Sequence, residues 1–205
     1  MSRPSTTMTA TVALVLVTLQ IVSPALGQII PEFLGFGYCP ETPPQADLDL
    51  AKFSGTWFTV TRVPNVYDAL ASCIYTNYTL DADNNLAVQA FGKNAAGEET
   101  VVNSAIKSNK PNEPLTVVST GVPEAPLKIV ATDYSTYACL ESCLQYVAFK
   151  AQFAWVLTKK PASSIEATNI CTEIFKNKMG IAASTMKKVT QGRGCEYPSW
   201  ARGGN

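Results

Sequence analysis

The 205-residue sequence contains no histidine, which removes a large part of enzyme chemistry. Ser-His-Asp and Cys-His nucleophilic machinery are excluded, and so is histidine as a general base. Charged residues make up only 16% of the chain, and no acidic cluster indicates a pair of catalytic carboxylates. The 16 basic and 16 acidic residues cancel, so the net charge predicts neither a nucleic acid nor an anionic membrane as a partner. The composition therefore favours a protein that is not an enzyme.

Long apolar runs are also rare, and the strongest one, Ala10 to Val22, lies at the start of the chain. Arg3 precedes this run, and small residues up to Gly27 follow it. This order is typical of a secretory signal peptide, so we expect cleavage after Gly27, with 1–27 removed and 28–205 forming one domain. The run is short of the roughly 20 residues that a membrane-spanning helix needs. We therefore predict a secreted, extracellular protein without a membrane span.

The cysteine count is six, an even number that predicts three disulfides in a secreted chain. A zinc site is the rival interpretation. It is weak because the chain lacks histidine and paired C-x-x-C clusters, so we expect no metal. Six cysteines allow 15 connectivities, and the pattern alone does not choose among them. The cysteines are Cys39, Cys73, Cys139, Cys143, Cys171 and Cys195.

The remaining sequence divides into an arm, a strand-rich body and a helical end. Prolines dot the arm, 28–50, and keep it out of helix and sheet interiors. About eight short segments of strand character occupy 53–159, a rhythm typical of an all-β sandwich or barrel. A helix is predicted over 162–179, with Ser163 and Glu166 at capping-box spacing, and 185–205 forms a final strand and tail. Eight strands closed into a barrel leave no edges and enclose room for one small ligand.

Three separated motifs then connect the chain to a known family. The first is Gly55-x-Trp57 on the opening strand, and the second is "TDYSTY", which begins Thr132-Asp133-Tyr134. The third is the basic pair Lys187-Lys188 after the helix. In this order, around eight strands and one helix, they resemble the lipocalins over nearly the whole mature chain. The resemblance implies an all-β, eight-stranded antiparallel up-and-down barrel with the C-terminal α-helix packed outside.

Within that family the sequence is most similar to the apolipoprotein D and bilin-binding branch, and its cysteine layout resembles the crustacyanin subunits, which bind carotenoids. The segments "CIYTNYTL", "ATDYSTYACLESC" and "FAWVLTKKP" carry this likeness. The resemblance implies the disulfide pairs Cys39–Cys143, Cys73–Cys195 and Cys139–Cys171. These bridges tie the arm, the tail and the helix to the barrel.

The role of Trp57 has two interpretations. The indole ring is either a platform for a ligand or a plug at the closed end of the barrel. The resemblance implies the plug, with Lys187 or Lys188 over the face of the indole as a cation–π partner.

The binding residues follow from strand alternation. Asn77-Tyr78-Thr79 is a glycosylation sequon, and a glycan on Asn77 must point outward, so Tyr78 points inward. The same alternation on other strands predicts an apolar, aromatic interior that either binds a ligand or forms a filled core. The predicted ligand-binding residues are Tyr78, Leu86, Val88, Ala90, Ile129, Phe153 and Trp155.

These observations predict a secreted carrier of a hydrophobic small molecule. The crustacyanin resemblance implies a carotenoid such as astaxanthin, held together with a second lipocalin subunit or a second copy of the chain. The alternative is an apolipoprotein D-like carrier of a fatty acid, steroid or bilin. A lipid-modifying isomerase is a further alternative, and its cysteine-dependent form requires a free thiol.

Overall fold

The structure, a computed structural model, describes residues 30–110, 113–161 and 164–201. The predicted signal peptide, 1–27, lies outside the described residues. Within the described part, no helix has both the length and the apolar character needed to cross a membrane. The strands are β1 (Leu34–Phe36), β2 (Gly55–Arg62), β3 (Ser72–Leu80), β4 (Leu86–Lys93), β5 (Glu99–Lys107), β6 (Leu115–Ser119), β7 (Ala125–Thr132), β8 (Tyr137–Gln145), β9 (Phe149–Thr158) and β10 (Lys187–Lys188); the helices are α1 (Leu50–Phe53), α2 (Ile165–Met179) and a 3₁₀ turn (Ala183–Thr185).

Eight strands, β2 to β9, form a closed antiparallel barrel. Each strand pairs with the next along the chain, and β9 pairs back onto β2, with Phe58 opposite Thr158. Closure satisfies the backbone groups that an open sheet would leave at its edges. The predicted eight-stranded up-and-down barrel is therefore confirmed. We call the end where β2 begins the floor, and the end where β2 passes into β3 the mouth.

Local turn chemistry sets where the strands reverse. In the turn after β3, Asp81 Oδ1 accepts hydrogen bonds from the backbone N–H groups of Asp83 and Asn85. In the turn after β4, Asn94 Oδ1 does the same for Ala96 and Glu98. Side chains of this type favour turns because they replace missing backbone hydrogen bonds.

The arm forms two short elements that its prolines did not indicate. Leu34 pairs with Ala151, so β1 lies beside the first residues of β9, which β2 does not reach. Farther along, Asp49 caps α1 by accepting a hydrogen bond from the Lys52 N–H at 3.0 Å. Pro31 precedes β1, and the other prolines of the arm lie between β1 and α1, which is why they interrupt neither element.

The helix α2 packs its buried residues against the outer face of β8 and β9. Ser164 Oγ accepts a hydrogen bond from the Ala167 N–H at 3.2 Å and caps the helix. Ser163, the predicted cap, lies outside the described residues. The helix ends at Gly180, whose φ of 67° suits a residue without a side chain. The buried residues are Ala167, Cys171, Phe175 and Met179.

Three disulfides fasten the arm, the tail and the helix to the barrel. They join Cys39 to Cys143, Cys73 to Cys195 and Cys139 to Cys171, which are the pairs that the resemblance implies. The joined residues are 104, 122 and 32 positions apart. Bridges that close long loops typically stabilise a fold by about 2–4 kcal/mol each.

Candidate functional site

A cavity of about 240 Å³ lies inside the barrel and is open toward the mouth. Most of its wall is apolar, and the polar groups are few. Such a lining suits a ligand that gains most of its binding energy by leaving water. The apolar wall includes Ile74, Val88, Ala90, Ile106, Leu127 and Trp155.

Strand alternation places these side chains on one face. Thr76 and Tyr78 of β3 point into the barrel opposite Ala90 and Val88 of β4, with which they are in register. Tyr78 is buried, and burial raises the pKa of its hydroxyl, which therefore stays protonated at neutral pH. The cavity thus holds a phenol that can donate a hydrogen bond from a mostly apolar wall.

The structure separates the seven predicted ligand-binding residues into two groups. Tyr78, Val88, Ala90 and Trp155 line the cavity. The other three do not line this cavity, and ligand binding by the seven residues stays a prediction. Leu86 and Ile129 are fully buried in the core that fills the floor half of the barrel, and Phe153 lies in an aromatic stack beside Trp155. Alternation predicts that a side chain points inward, but whether it meets empty space depends on packing depth.

An ion pair at the mouth was missed by the sequence analysis. Arg62 Nη1 lies 3.3 Å from Asp68 Oδ1, and the two side chains are only 13% and 16% exposed. Arg62 also donates to the Leu70 carbonyl at 2.6 Å, which anchors the loop over the mouth. Burial raises the pKa of Asp68 and lowers that of Arg62, while each partner's charge opposes the shift of the other. Both residues line the cavity.

A β-bulge explains why Arg62 faces the cavity. The pairing of β2 with β9 shifts between Thr59 and Thr61, so the alternation is out of phase beyond that point. Thr59 and Arg62 line the cavity, whereas strict alternation from Thr59 points Thr61 inward. The sequence carries no signal that identifies this bulge.

Trp57 fills the floor of the barrel. Its side chain is fully buried, and its Nε1 donates to the Phe53 carbonyl at 2.7 Å. The Phe53 ring stacks on it with centroids 5.3 Å apart. Lys159 Nζ lies 3.9 Å from the indole centroid and donates to the Ser54 carbonyl. Burial lowers the pKa of Lys159 to about 8, so the ammonium persists at pH 7 and makes a cation–π contact.

The expectation that Lys187 or Lys188 covers Trp57 is wrong. These residues form β10, which pairs with Arg62 and Thr61 at the mouth end of β2. Four or five residues of extended strand, roughly 13–17 Å, separate that position from Trp57. Lys187 instead pairs with Glu32 at 3.2 Å. The cation over the indole is Lys159, which directly follows β9. At the floor, the end of β9 pairs with β2 next to Trp57.

The Thr132-Asp133-Tyr134 motif holds the arm to the floor. The Tyr134 hydroxyl accepts hydrogen bonds from the Asp49 N–H at 3.1 Å and from the Gln45 amide at 3.2 Å. The Thr132 N–H donates to Gln45 Oε1. The motif therefore positions α1 under the barrel.

Asp133 caps the turn between β7 and β8. Burial would raise its pKa, but hydrogen bonds from the Thr136 hydroxyl and from the N–H groups of Ser135, Thr136 and Tyr137 outweigh it and lower the pKa to about 2. In the unfolded chain the pKa is about 3.9. The stabilisation is therefore complete above pH 4 and is lost as the pH falls through about 2.

We expect Asp133→Asn to lower the free energy of unfolding at pH 7 by about 1 kcal/mol, a value reduced for solvent screening at this mostly exposed carboxylate. The difference from the natural protein should narrow below pH 4 and vanish only below about pH 2. Urea unfolding at a series of pH values measures it. Asp83→Asn, in the exposed turn after β3, is the control and should change little. A deficit that stays constant with pH contradicts a role for the ionised carboxylate.

The sequon lies on the outer face of the barrel. Asn77 is half-buried and its Nδ2 lies 3.4 Å from Thr79 Oγ1, while Tyr78 between them points inward. Glycosylation of Asn77 stays a prediction.

Comparisons with known proteins give relatives for this architecture. The family model of the lipocalin-like domain matches residues 48–191. Apolipoprotein D of Mus musculus is 30% identical over 159 residues, which are 76% of this chain and 83% of the relative. The crustacyanin-A1 subunit of Homarus gammarus is 26% identical over 147 residues, 71% of this chain and 80% of the subunit.

A solved structure of apocrustacyanin C1 superposes with a TM-score of 0.74 at 24% identity, over 83% of this chain and 98% of that one. This likeness concerns the fold, and the match of the family model over most of the chain carries the assignment. With its closed barrel, its plugged floor and its outer helix, the chain belongs to the lipocalin family.

Proposed function

We propose that this protein carries a hydrophobic small molecule in the barrel cavity, and that the molecule is a carotenoid such as astaxanthin. The observation that carries the proposal is the apolar, partly aromatic cavity that opens at one end. Burial of apolar surface contributes about 25 cal/mol per Å², so this lining binds by withdrawing the ligand from water. Trp155 provides a flat wall for a ring, and Tyr78 provides a hydrogen-bond donor.

The size of the cavity indicates how a long ligand is held. At about 240 Å³ it lies below the roughly 300–1,000 Å³ that is typical for enclosing a drug-sized molecule. We infer that one end of a carotenoid enters the barrel, while the polyene chain leaves through the mouth. A second lipocalin subunit, or a second copy of this chain, would cover that chain.

Exposed apolar side chains near the mouth support such a partner. Phe36 of β1 is in register with Phe149 of β9, and Tyr146 stacks on Phe149 with centroids 4.8 Å apart. Val147, at the tip of the same turn, is 96% exposed. Contiguous apolar surface of this kind is typical of interaction sites.

A fatty acid, steroid or bilin is the second candidate, and Arg62 favours its acidic members. The guanidinium uses two of its groups on Asp68 and Leu70 and lies at the cavity rim. Guanidinium groups recognise carboxylates well, so an acidic lipid would place its head group there. Asp68 would have to give up part of its contact with Arg62.

The disulfides also favour a carrier over a thiol-dependent isomerase. All six cysteines are joined in disulfides, and a disulfide sulfur is not the thiolate that such chemistry uses. The same bridges support an oxidising, extracellular location, in line with the predicted signal peptide.

Mixing the purified protein with astaxanthin tests the proposal. We expect a saturable, red-shifted absorption band, and sedimentation should show an assembly that forms only with the pigment. No shift together with tight binding of a fatty acid or steroid would leave the second candidate. If neither class binds, the carrier proposal fails. Extraction and identification of the molecule carried by the native protein gives an independent answer.

A further inference from the structure

The outer face of β3, β4 and β5 has an unusual composition. Three rows of residues cross the strands in register, and we call these nine residues the amide-aromatic face. The upper row, nearest the mouth, is aromatic and apolar. The middle row carries three side-chain amides, and the lower row consists of small side chains. Charged side chains stand beyond these rows, with Lys93 and Glu99 at one end and Lys107 at the other. The rows are Tyr75-Phe91-Val101, Asn77-Gln89-Asn103 and Thr79-Ala87-Ala105.

The upper row continues into the C-terminal tail. Tyr75 stacks on Phe91 with centroids 5.0 Å apart, and Trp200 packs edge-on against both, at 5.8 and 5.7 Å. Trp200 is nevertheless 53% exposed, and Val101 beside Phe91 is 51% exposed. A tryptophan held in place while half of it faces water is a preformed surface for an apolar partner.

Asn77 stands at the edge of this surface. It is opposite Gln89, and its diagonal neighbour is Phe91, at a separation typical of about 7–8 Å. Gln89 Nε2 donates to Asn103 Oδ1 at 3.3 Å, which links two of the three amides in this row. A group attached to Asn77 Nδ2 therefore starts in the amide row, one row away from the aromatic residues.

We propose that an N-linked glycan on Asn77 lies along the amide-aromatic face, with its first sugars against Phe91 and Trp200. The C–H side of a sugar ring is apolar and packs on aromatic rings. Sugar hydroxyls and N-acetyl groups hydrogen-bond with the amides of Gln89 and Asn103, which already face solvent. The proposal rests on the sequon and this face, and it does not depend on which ligand the cavity holds.

The glycan is favoured over a second copy of the chain as the occupant. The sequon places a covalently attached sugar at the margin of the face, where its local concentration is far above that of any partner in solution. The same sugar would obstruct close packing of a protein surface there.

A comparison of four proteins secreted from eukaryotic cells tests this. Mass spectrometry first measures occupancy of Asn77. Natural protein and Trp200→Ser are then each compared with their Thr79→Ala form, which lacks the sequon. We expect the glycan to raise the midpoint of thermal unfolding by about 2–4 °C in the natural background and by less than about 1 °C with Trp200→Ser.

Val101→Ser, which is separate from the tail, should also reduce the gain, and it serves as a second test should Trp200→Ser loosen the tail. Trimming the glycan to its first sugar should keep part of the gain, because that sugar makes the contact. An unmodified Asn77, or an equal gain in all backgrounds, overturns the proposal. A glycosylated dimer that Val101→Arg dissociates would also overturn it, because the face would then hold a second copy.

Discussion

Replacing Trp57 by alanine should lower the free energy of unfolding by about 3–5 kcal/mol, the range typical for removing a buried large aromatic side chain. The indole is fully buried, packs on Phe53 and is covered by the Lys159 ammonium. Its removal leaves a void at the floor and also leaves the Phe53 carbonyl without its hydrogen-bond donor. Urea unfolding at neutral pH measures the loss.

Trp200→Ala is the matched control, because it removes the same side chain from a half-exposed position and should cost far less. Trp57→Phe separates the two roles considered for this residue. If Trp57 is a plug, the variant should lose stability while its ligand affinity changes little, since Trp57 is absent from the residues that line the cavity. A variant that keeps its stability but loses the ligand would show that Trp57 is a binding platform.

The fold was predictable because its signals are local and repeated. Strand-like segments separated by turn residues such as Asp81 and Asn94 recur through the body, and each sets one reversal of the chain. The cap at Gly180 and the apolar stripe of α2 act within a few residues as well. Closure then follows from the edges that eight open strands would expose.

The site was predictable only in part, because it depends on contacts between distant segments. Tyr78 and Trp155 were found through alternation, which holds along any regular strand. Arg62 was missed because a single bulge in β2 reverses the facing of its last residues. Lys159 was missed because its place over Trp57 arises from the pairing of β9 with β2. The two residues are 102 positions apart in the sequence (159 − 57), so no local pattern connects them.

Packing depth was the other unpredictable quantity. Leu86 and Val88 lie two residues apart on one face of β4, yet the first is core and the second lines the cavity. The difference arises because Trp57 and Phe53 fill the floor of the barrel, and Tyr78 packs edge-on against Phe53 where the cavity begins. Sequence alternation carries no information about where such a plug ends.

Replacing Ala90 by tryptophan should weaken ligand binding at least 100-fold, about 2.8 kcal/mol, with little change in the fold. Ala90 lines the cavity at a level between Tyr78 and the mouth, so an indole there occupies the space that the ligand needs. The cavity supplies room for the new ring, which limits the overpacking cost.

Ala87→Trp is the matched control, because Ala87 lies three residues earlier on the same strand and is exposed on the outer face. It should keep the affinity of the natural protein. Titration of both variants with astaxanthin and with a fluorescent fatty acid gives the affinities, and thermal unfolding verifies the fold. If Ala90→Trp binds as tightly as Ala87→Trp, the ligand lies outside the barrel and both candidate functions lose their site. Loss of binding in Ala90→Trp alone would locate the ligand beside Trp155, above the plug that Trp57 forms.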